Sequence, residues 1–209
     1  MKKLIIFDLD GVLIDSPKMV AEYFSSVYPT LTYEEQLDML CGNFPAEVEK
    51  MKMRHKTIEE TVEEKEARQQ AYSKKKLSCP LFDGIKELLE TLHVQGHTLV
   101  INTSALIPNC VPILEKYSLL QYFDFIAGKE VSPSKVEKFK ILEEKYKFPK
   151  NRMIFVTDTL GDLREADVAG VPTIAVTYGA HDRPYFTREP HSNLVAIVDS
   201  VEELSKLLK

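Results

Sequence analysis

A chain of 209 residues, 44% hydrophobic and 28% charged, carries enough apolar side chains for one large core, or for a core domain with a smaller insertion. Its formal net charge of −5 argues against a general nucleic-acid binder, which needs a surplus of Lys and Arg to face the phosphate backbone. The three cysteines, Cys41, Cys79 and Cys110, are scattered and outside CxxC spacing. They fit a reduced, cytoplasmic protein better than a disulfide framework or a zinc site.

The first element in chain order is the run Leu-Ile-Ile-Phe at 4–7, continuous in apolar character as expected of a strand buried on both faces. Asp8 and Asp10 interrupt it too soon for a secretory leader, and no segment approaches the roughly 18–20 apolar residues that span a bilayer. Ser16-Pro17 then signals a helix start, with Met19, Val20, Tyr23, Phe24 and Val27 on one face. Thr32 with Glu35, and Thr57 with Glu60, have capping-box spacing. The stretch 59–76 is highly charged, and Lys74-Lys75-Lys76 reads as a solvated helix end. No β-like alternation appears over 16–79. That stretch is therefore expected to be a small helical domain, hinged near 14–16 and 78–82, inserted into a core of 1–15 and 80–209.

Beyond the insertion, 83–96 repeats Ile85, Leu88, Leu89 and Leu92 at helical spacing, with Asp83 as the expected N-cap and Gly96 as the stop. Strands are predicted at 98–101, 153–156 and 173–176. Helices are predicted at 134–147, through Val136, Phe139, Leu142 and Tyr146, and from Ser200 to the end, with Glu203 completing a capping box. Strands alternating with helices of this length predict an α/β fold with a mostly parallel sheet. The histidines His55, His93, His97, His181 and His191 lack metal-ligand spacing and read as surface or turn residues.

Ligands of open parallel sheets bind outside the carboxyl ends of the strands, so polar residues at those ends carry the functional signal. Asp8-Leu-Asp10-Gly11 directly follows the first strand. Thr103 and Ser104 follow the second, Asp158 and Asp162 follow the strand at 153–156, and Lys135 opens the helix before it. This set supplies carboxylates for a hard cation, donors for phosphate oxygens and one positive charge, which are the requirements of phosphoryl transfer.

The segment Leu4-Ile-Ile-Phe-Asp8-Leu-Asp10-Gly-Val-Leu-Ile-Asp15-Ser16 resembles the first motif, hhhhDxDGVLxDS, of the haloacid dehalogenase superfamily. Gly84-Ile-Lys-Glu-Leu-Leu is similar to the segment leading into its second motif. The resemblance covers nearly the whole chain and is to the phosphatase branch with a helical cap after the first strand, which includes phosphoglycolate phosphatases and β-phosphoglucomutases. It implies a Rossmann-like core, Mg²⁺, Asp8 as nucleophile and Asp10 as general acid and base with its backbone carbonyl on the metal. It further implies that Thr103, the Ser104 N–H and Lys135 hold the phosphoryl group, and that Asp158 and Asp162 complete the metal site. Val136 follows Lys135 where the family often has Pro, so Lys129 and Lys138 compete for the lysine role. The fourth motif often reads Gly-Asp, whereas Thr157 precedes Asp158.

The activity so implied is Mg²⁺-dependent hydrolysis of a small phosphorylated metabolite through an aspartyl-phosphate, in a monomer or weak homodimer with no nucleic-acid or membrane partner. The alternatives are a sugar-phosphate mutase and a catalytically silent binding protein.

Overall fold

The computed structural model describes residues 1–209. Its elements run β1 (Leu4–Phe7), α1 (Pro17–Val27), α2 (Tyr33–Met39), α3 (Phe44–Arg54), α4 (Val62–Ser78), α5 (Ile85–Val94), β2 (Thr98–Asn102) and α6 (Ile107–Lys116). They continue through β3 (Phe125–Ala127), α7 (Lys135–Tyr146), β4 (Met153–Thr157), α8 (Leu160–Ala169), β5 (Thr173–Val176), α9 (Arg183–Thr187), β6 (Leu194–Val198) and α10 (Val201–Leu208).

All six strands pair in parallel, in the order β3-β2-β1-β4-β5-β6. The continuous apolar run of β1 follows from its central place, because every residue of it has zero exposure. Ile5 and Phe7 pack on the face covered by α5, α6 and α10, while Leu4 and Ile6 face Phe139 of α7 and Ala166 and Ala169 of α8. Burying one such side chain stabilises the fold by about 1.5–3 kcal/mol, so this strand anchors both layers. The order is that of a Rossmann-type sheet, and the chain reverses direction across the sheet at β1. A crevice therefore opens beyond the ends of β1 and β4.

The helices α1 to α4 stand apart from this sandwich around their own apolar cluster of Val27, Tyr28, Leu31, Met39 and Met51. The two connections to them run side by side: Ile14 bridges Leu81 in antiparallel fashion, and the Asp15 N–H donates to the Pro80 carbonyl at 2.9 Å. The far side of this helical unit also touches the core. The Gly161 N–H donates to the Leu40 carbonyl at 2.8 Å, and a Cβ on Gly161 would lie 2.1 Å from the Gly42 carbonyl oxygen. Asn43 reaches Glu165, and Arg164 reaches the Cys41 carbonyl.

Several local expectations are corrected. The capping box before α4 uses Thr61 and Glu64, while 57–60 stay non-helical. α5 is preceded by Gly84 in a left-handed conformation, without a side-chain cap from Asp83. At α10 only half of the expected box forms, since Ser200 accepts the Glu203 N–H while Glu203 reaches the Asp199 N–H. The structure adds two strands to the expected set, β3, of three residues, and β6, although Leu194 to Val198 is itself a continuous apolar run.

Candidate active site

Asp8 continues β1 by one residue, its N–H donating to the Val156 carbonyl at 3.0 Å. Asp158 follows β4, Thr103 follows β2, Asp162 lies in the first turn of α8, and Lys135 is the first residue of α7. The sheet and two helix N-termini thus converge on one rim. Lys135 Nζ donates to Asp8 Oδ2 and to Asp162 Oδ2, both at 2.6 Å, and Thr157 Oγ1 donates to the same Asp162 oxygen at 2.8 Å. Of the competing lysines, Lys138 is buried and donates to the Thr103 carbonyl at 2.6 Å. Lys129 is exposed beside the same loop, its N–H on the Ala105 carbonyl. Only Lys135 meets Asp8.

The charges are unevenly shared. Burial raises the Asp8 pKa to about 7; Lys135 pulls it back, and neighbouring Asp162 pushes it up again. Burial acts on Asp162 in the same sense, but Lys135 and the Thr157 hydroxyl prevail and hold it below the usual carboxylate range. Burial and then Asp8 raise Asp158 well above its ordinary value. Lys135 itself keeps its proton, because the two carboxylates outweigh its desolvation. Lys138, buried beside Lys135 and without a carboxylate contact, falls to about 8.

Asp158 is the least satisfied of these groups. Its Oδ2 accepts the Ala180 N–H at 2.8 Å, but its buried Oδ1 has no partner. Gly11, at φ +72°, and Gly179 pack so closely on this carboxylate that a Cβ would lie 1.8 Å from Asp158 Oδ2 at Gly11 and 2.4 Å from Asp158 Cβ at Gly179. Only glycine fits at either place. With Asp8, Asp158 and Asp162 all ionised around one ammonium (Lys135), this buried site would carry a net charge of −2, which burial resists by raising Asp8 and Asp158. A divalent oxygen-seeking cation neutralises that charge, and the orphaned Oδ1 is an open ligand for it. No three acidic, histidine or cysteine side chains already form a closed cage, so backbone carbonyls and water would have to complete such a shell.

Asp10 points away from this cluster. Its Oδ1 accepts the Ser16 hydroxyl at 2.6 Å, and its Oδ2 accepts Lys76 Nζ at 2.7 Å. Lys76 is therefore no solvated helix end. It is 4% exposed, and the Asp10 carboxylate outweighs desolvation to keep it protonated. Sequence reasoning missed it because a Lys triplet on a polar helix carries no sign of which member turns inward. His181 was missed too. Burial keeps its ring neutral; Nδ1 accepts the Leu160 N–H at 3.0 Å, so Nε2 carries the hydrogen and donates to the Leu37 carbonyl at 3.0 Å. It ties the start of α8 to α2.

Asp8, Asp10, Thr103, Ser104, Asp158 and Asp162 all line one cavity of about 340 Å³, roofed by α1 to α4. Thr103 is buried, with its hydroxyl accepting the Ala105 N–H at 3.1 Å.

The sequence model of the haloacid dehalogenase-like hydrolase family matches residues 5–176. The chain is 28% identical to a phosphoglycolate phosphatase of Vibrio parahaemolyticus, over 99% of this chain and 96% of that protein. Its fold is like that of a predicted phosphatase from Clostridium acetobutylicum, with a TM-score of 0.77, 23% identity, and 100% and 98% of the two chains covered. It is also like that of CbbY from Rhodobacter sphaeroides, solved with xylulose-1,5-bisphosphate, with a TM-score of 0.75, 20% identity, and 98% and 96% covered. With a match over most of its length, reaching from β1 through β5 and taking in every strand-end acid described above, the chain belongs to the haloacid dehalogenase-like hydrolase family.

Proposed function

We propose that the protein is a Mg²⁺-dependent phosphatase that hydrolyses a small phosphorylated metabolite through an aspartyl-phosphate on Asp8. The observation that carries this reading is the buried Asp8–Lys135–Asp162 cluster beside the unpartnered Asp158 oxygen, at the rim of the cavity beneath α1 to α4. The phosphatase names among its relatives support it as well.

In the first step an Asp8 carboxylate oxygen forms a bond to phosphorus as the ester P–O bond breaks, and Asp10 gives its proton to the departing oxygen. In the second, Asp10 takes a proton from water, the water oxygen bonds to phosphorus, and phosphate leaves Asp8 as a free carboxylate. Lys135, Thr103 and the Ser104 N–H would hold the phosphoryl oxygens, while Ser16 and Lys76 fix the orientation of Asp10. Mg²⁺, held by Asp8, the Asp10 backbone carbonyl and Asp158 with Asp162 behind them, would supply charge stabilisation for the phosphoryl oxygens and keep Asp8 ionised. Residues 16–79 act as a lid over the core of 1–15 and 80–209, hinged on the paired connections at 14–16 and 78–82. Closing it excludes bulk water from the transferring group.

Asp10→Asn should lower turnover of alkyl phosphates by about 10²–10⁴-fold. The loss should shrink for 4-nitrophenyl phosphate, whose leaving group needs no proton. Steady-state kinetics on both substrates checks this, and equal losses would remove the general-acid role.

Millimolar Mg²⁺ should raise the melting temperature of the wild type, and Asp158→Asn should abolish most of that rise, because the mutation removes both an open ligand and one of three clustered charges. Calorimetry with and without chelator reads it, and an undiminished Mg²⁺ shift in the variant would remove Asp158 from the metal site. Release of inorganic phosphate, rather than an isomerised sugar phosphate, separates a phosphatase from a mutase.

A further inference from the structure

The two walls of the cavity differ in character. Its floor is the acidic rim described above. Its roof comes from all four inserted helices: Val20 and Phe24 of α1, Tyr33 and Leu37 of α2, Phe44 of α3 and Tyr72 of α4. The roof offers no unpaired cation. Lys76, which lines the cavity, is engaged by Asp10. Arg68, behind Tyr23, is engaged by Glu60 and the Tyr23 hydroxyl. The other lining lysine, Lys129, belongs to the core rim, its N–H on the Ala105 carbonyl, and not to the roof. The one buried side-chain amide in the roof is that of Gln36. Its nitrogen donates to Ser25 Oγ at 2.9 Å, and its carbonyl oxygen is buried without a partner, so the residue lines the cavity but presents no donor to it.

These features decide what the roof can accept. A substrate with a second anion, such as a carboxylate or another phosphate, would place it against aromatic and aliphatic side chains. The roof sets only the Tyr33 and Tyr72 hydroxyls, and no free ammonium or guanidinium, against that desolvation. Sites that hold a second anion place an Arg or Lys against it. A neutral apolar group instead gains from contact with Val20, Phe24, Phe44 and Tyr72, and 340 Å³ exceeds what a phosphorylated two-carbon acid fills.

We propose that the leaving group is a neutral, predominantly apolar alcohol of about the size of an aromatic ring with a short chain, so that the substrate carries its phosphate as its only anion. This rests on the Asp8 phosphatase reading, and it sets the protein apart from the carboxylate-bearing substrate in the name of its Vibrio relative.

The test compares kcat/KM of the Mg²⁺-loaded protein on 2-phenylethyl phosphate, ethyl phosphate and 2-phosphoglycolate, all alkyl esters. In parallel, titration calorimetry measures binding of 2-phenylethylphosphonate and phosphonoacetate, which cannot turn over. Phenylethyl phosphate should exceed each of the other esters by roughly 30-fold or more, the factor that burial of a phenyl-sized apolar group gives. The phosphonates should rank the same way. Val20→Lys, which places a cation in the roof, should narrow the preference by about 10-fold or more. Equal or better turnover of 2-phosphoglycolate, with tighter phosphonoacetate binding, would overturn the proposal and leave the phosphatase reading standing. Tight phenylethylphosphonate binding with no phosphate released from any ester would overturn the phosphatase reading itself.

Discussion

Asp8→Asn will abolish turnover without weakening the fold. The amide cannot form an acyl-phosphate, and loss of a covalent nucleophile costs about 10⁴–10⁶ in kcat. Stability should move the other way. Burial lifts the Asp8 pKa to about 7, which means the ionised carboxylate is held in an unfavourable place when no cation accompanies it. The neutral side chain relieves its repulsion with Asp158 and Asp162, and Lys135 retains Asp162 as partner. In chelator the variant should therefore melt at or above the wild-type temperature. A folded Asp8→Asn protein with more than about a hundredth of wild-type activity would contradict the nucleophile assignment.

Lys135→Ala should be the most destabilising single change at the site. Removing one member of a buried ion pair costs about 3–5 kcal/mol, because the remaining charges are left uncompensated. Here Asp8 and Asp162 both lose their cation. At about 2–4 °C per kcal/mol for a protein of this size, the melting temperature should fall by roughly 6–20 °C. Lys138→Met provides the contrast. Lys138 is equally buried but meets only the Thr103 carbonyl, and its pKa is already depressed, so its loss should cost clearly less. Differential scanning calorimetry of the two variants side by side reads the difference. Similar losses would mean that burial of the alkyl stem, rather than the ion pair, is what matters.

The contrast between these lysines also shows what the sequence could and could not convey. Strands whose residues are buried on both faces, such as 4–7 and 153–156, announce themselves as continuous apolar runs. β3, with three residues, is too short to announce itself, whereas β6 carries the same apolar run from Leu194 to Val198 even though, at the sheet edge, only Val198 of it is buried. Asp8, Asp158, Thr103 and Lys135 were legible because each sits a residue or so from a predicted strand end or helix start, where topology alone aims it at the crevice. Lys135 was distinguishable from Lys138 only by which turn of α7 faces Asp8. Ser16, Lys76 and His181 were illegible for another reason. Their partners, Asp10, Leu160 and Leu37, lie 6 to 144 residues away, and the Lys76–Asp10 and His181–Leu37 contacts form only where the inserted helices fold back on the core. Residues that join two parts of a structure have no local pattern.

The central claim is a covalent intermediate on Asp8, and reductive trapping tests it most directly. Protein mixed with Mg²⁺ and a turned-over phosphate ester is quenched within one turnover and treated with borohydride, which reduces an acyl-phosphate to the alcohol and leaves free carboxylates untouched. Peptide mass spectrometry should then find homoserine at Asp8 alone, dependent on substrate and absent from Asp8→Asn. Trapping at another carboxylate, or full turnover under these conditions with Asp8 unmodified, would contradict the account.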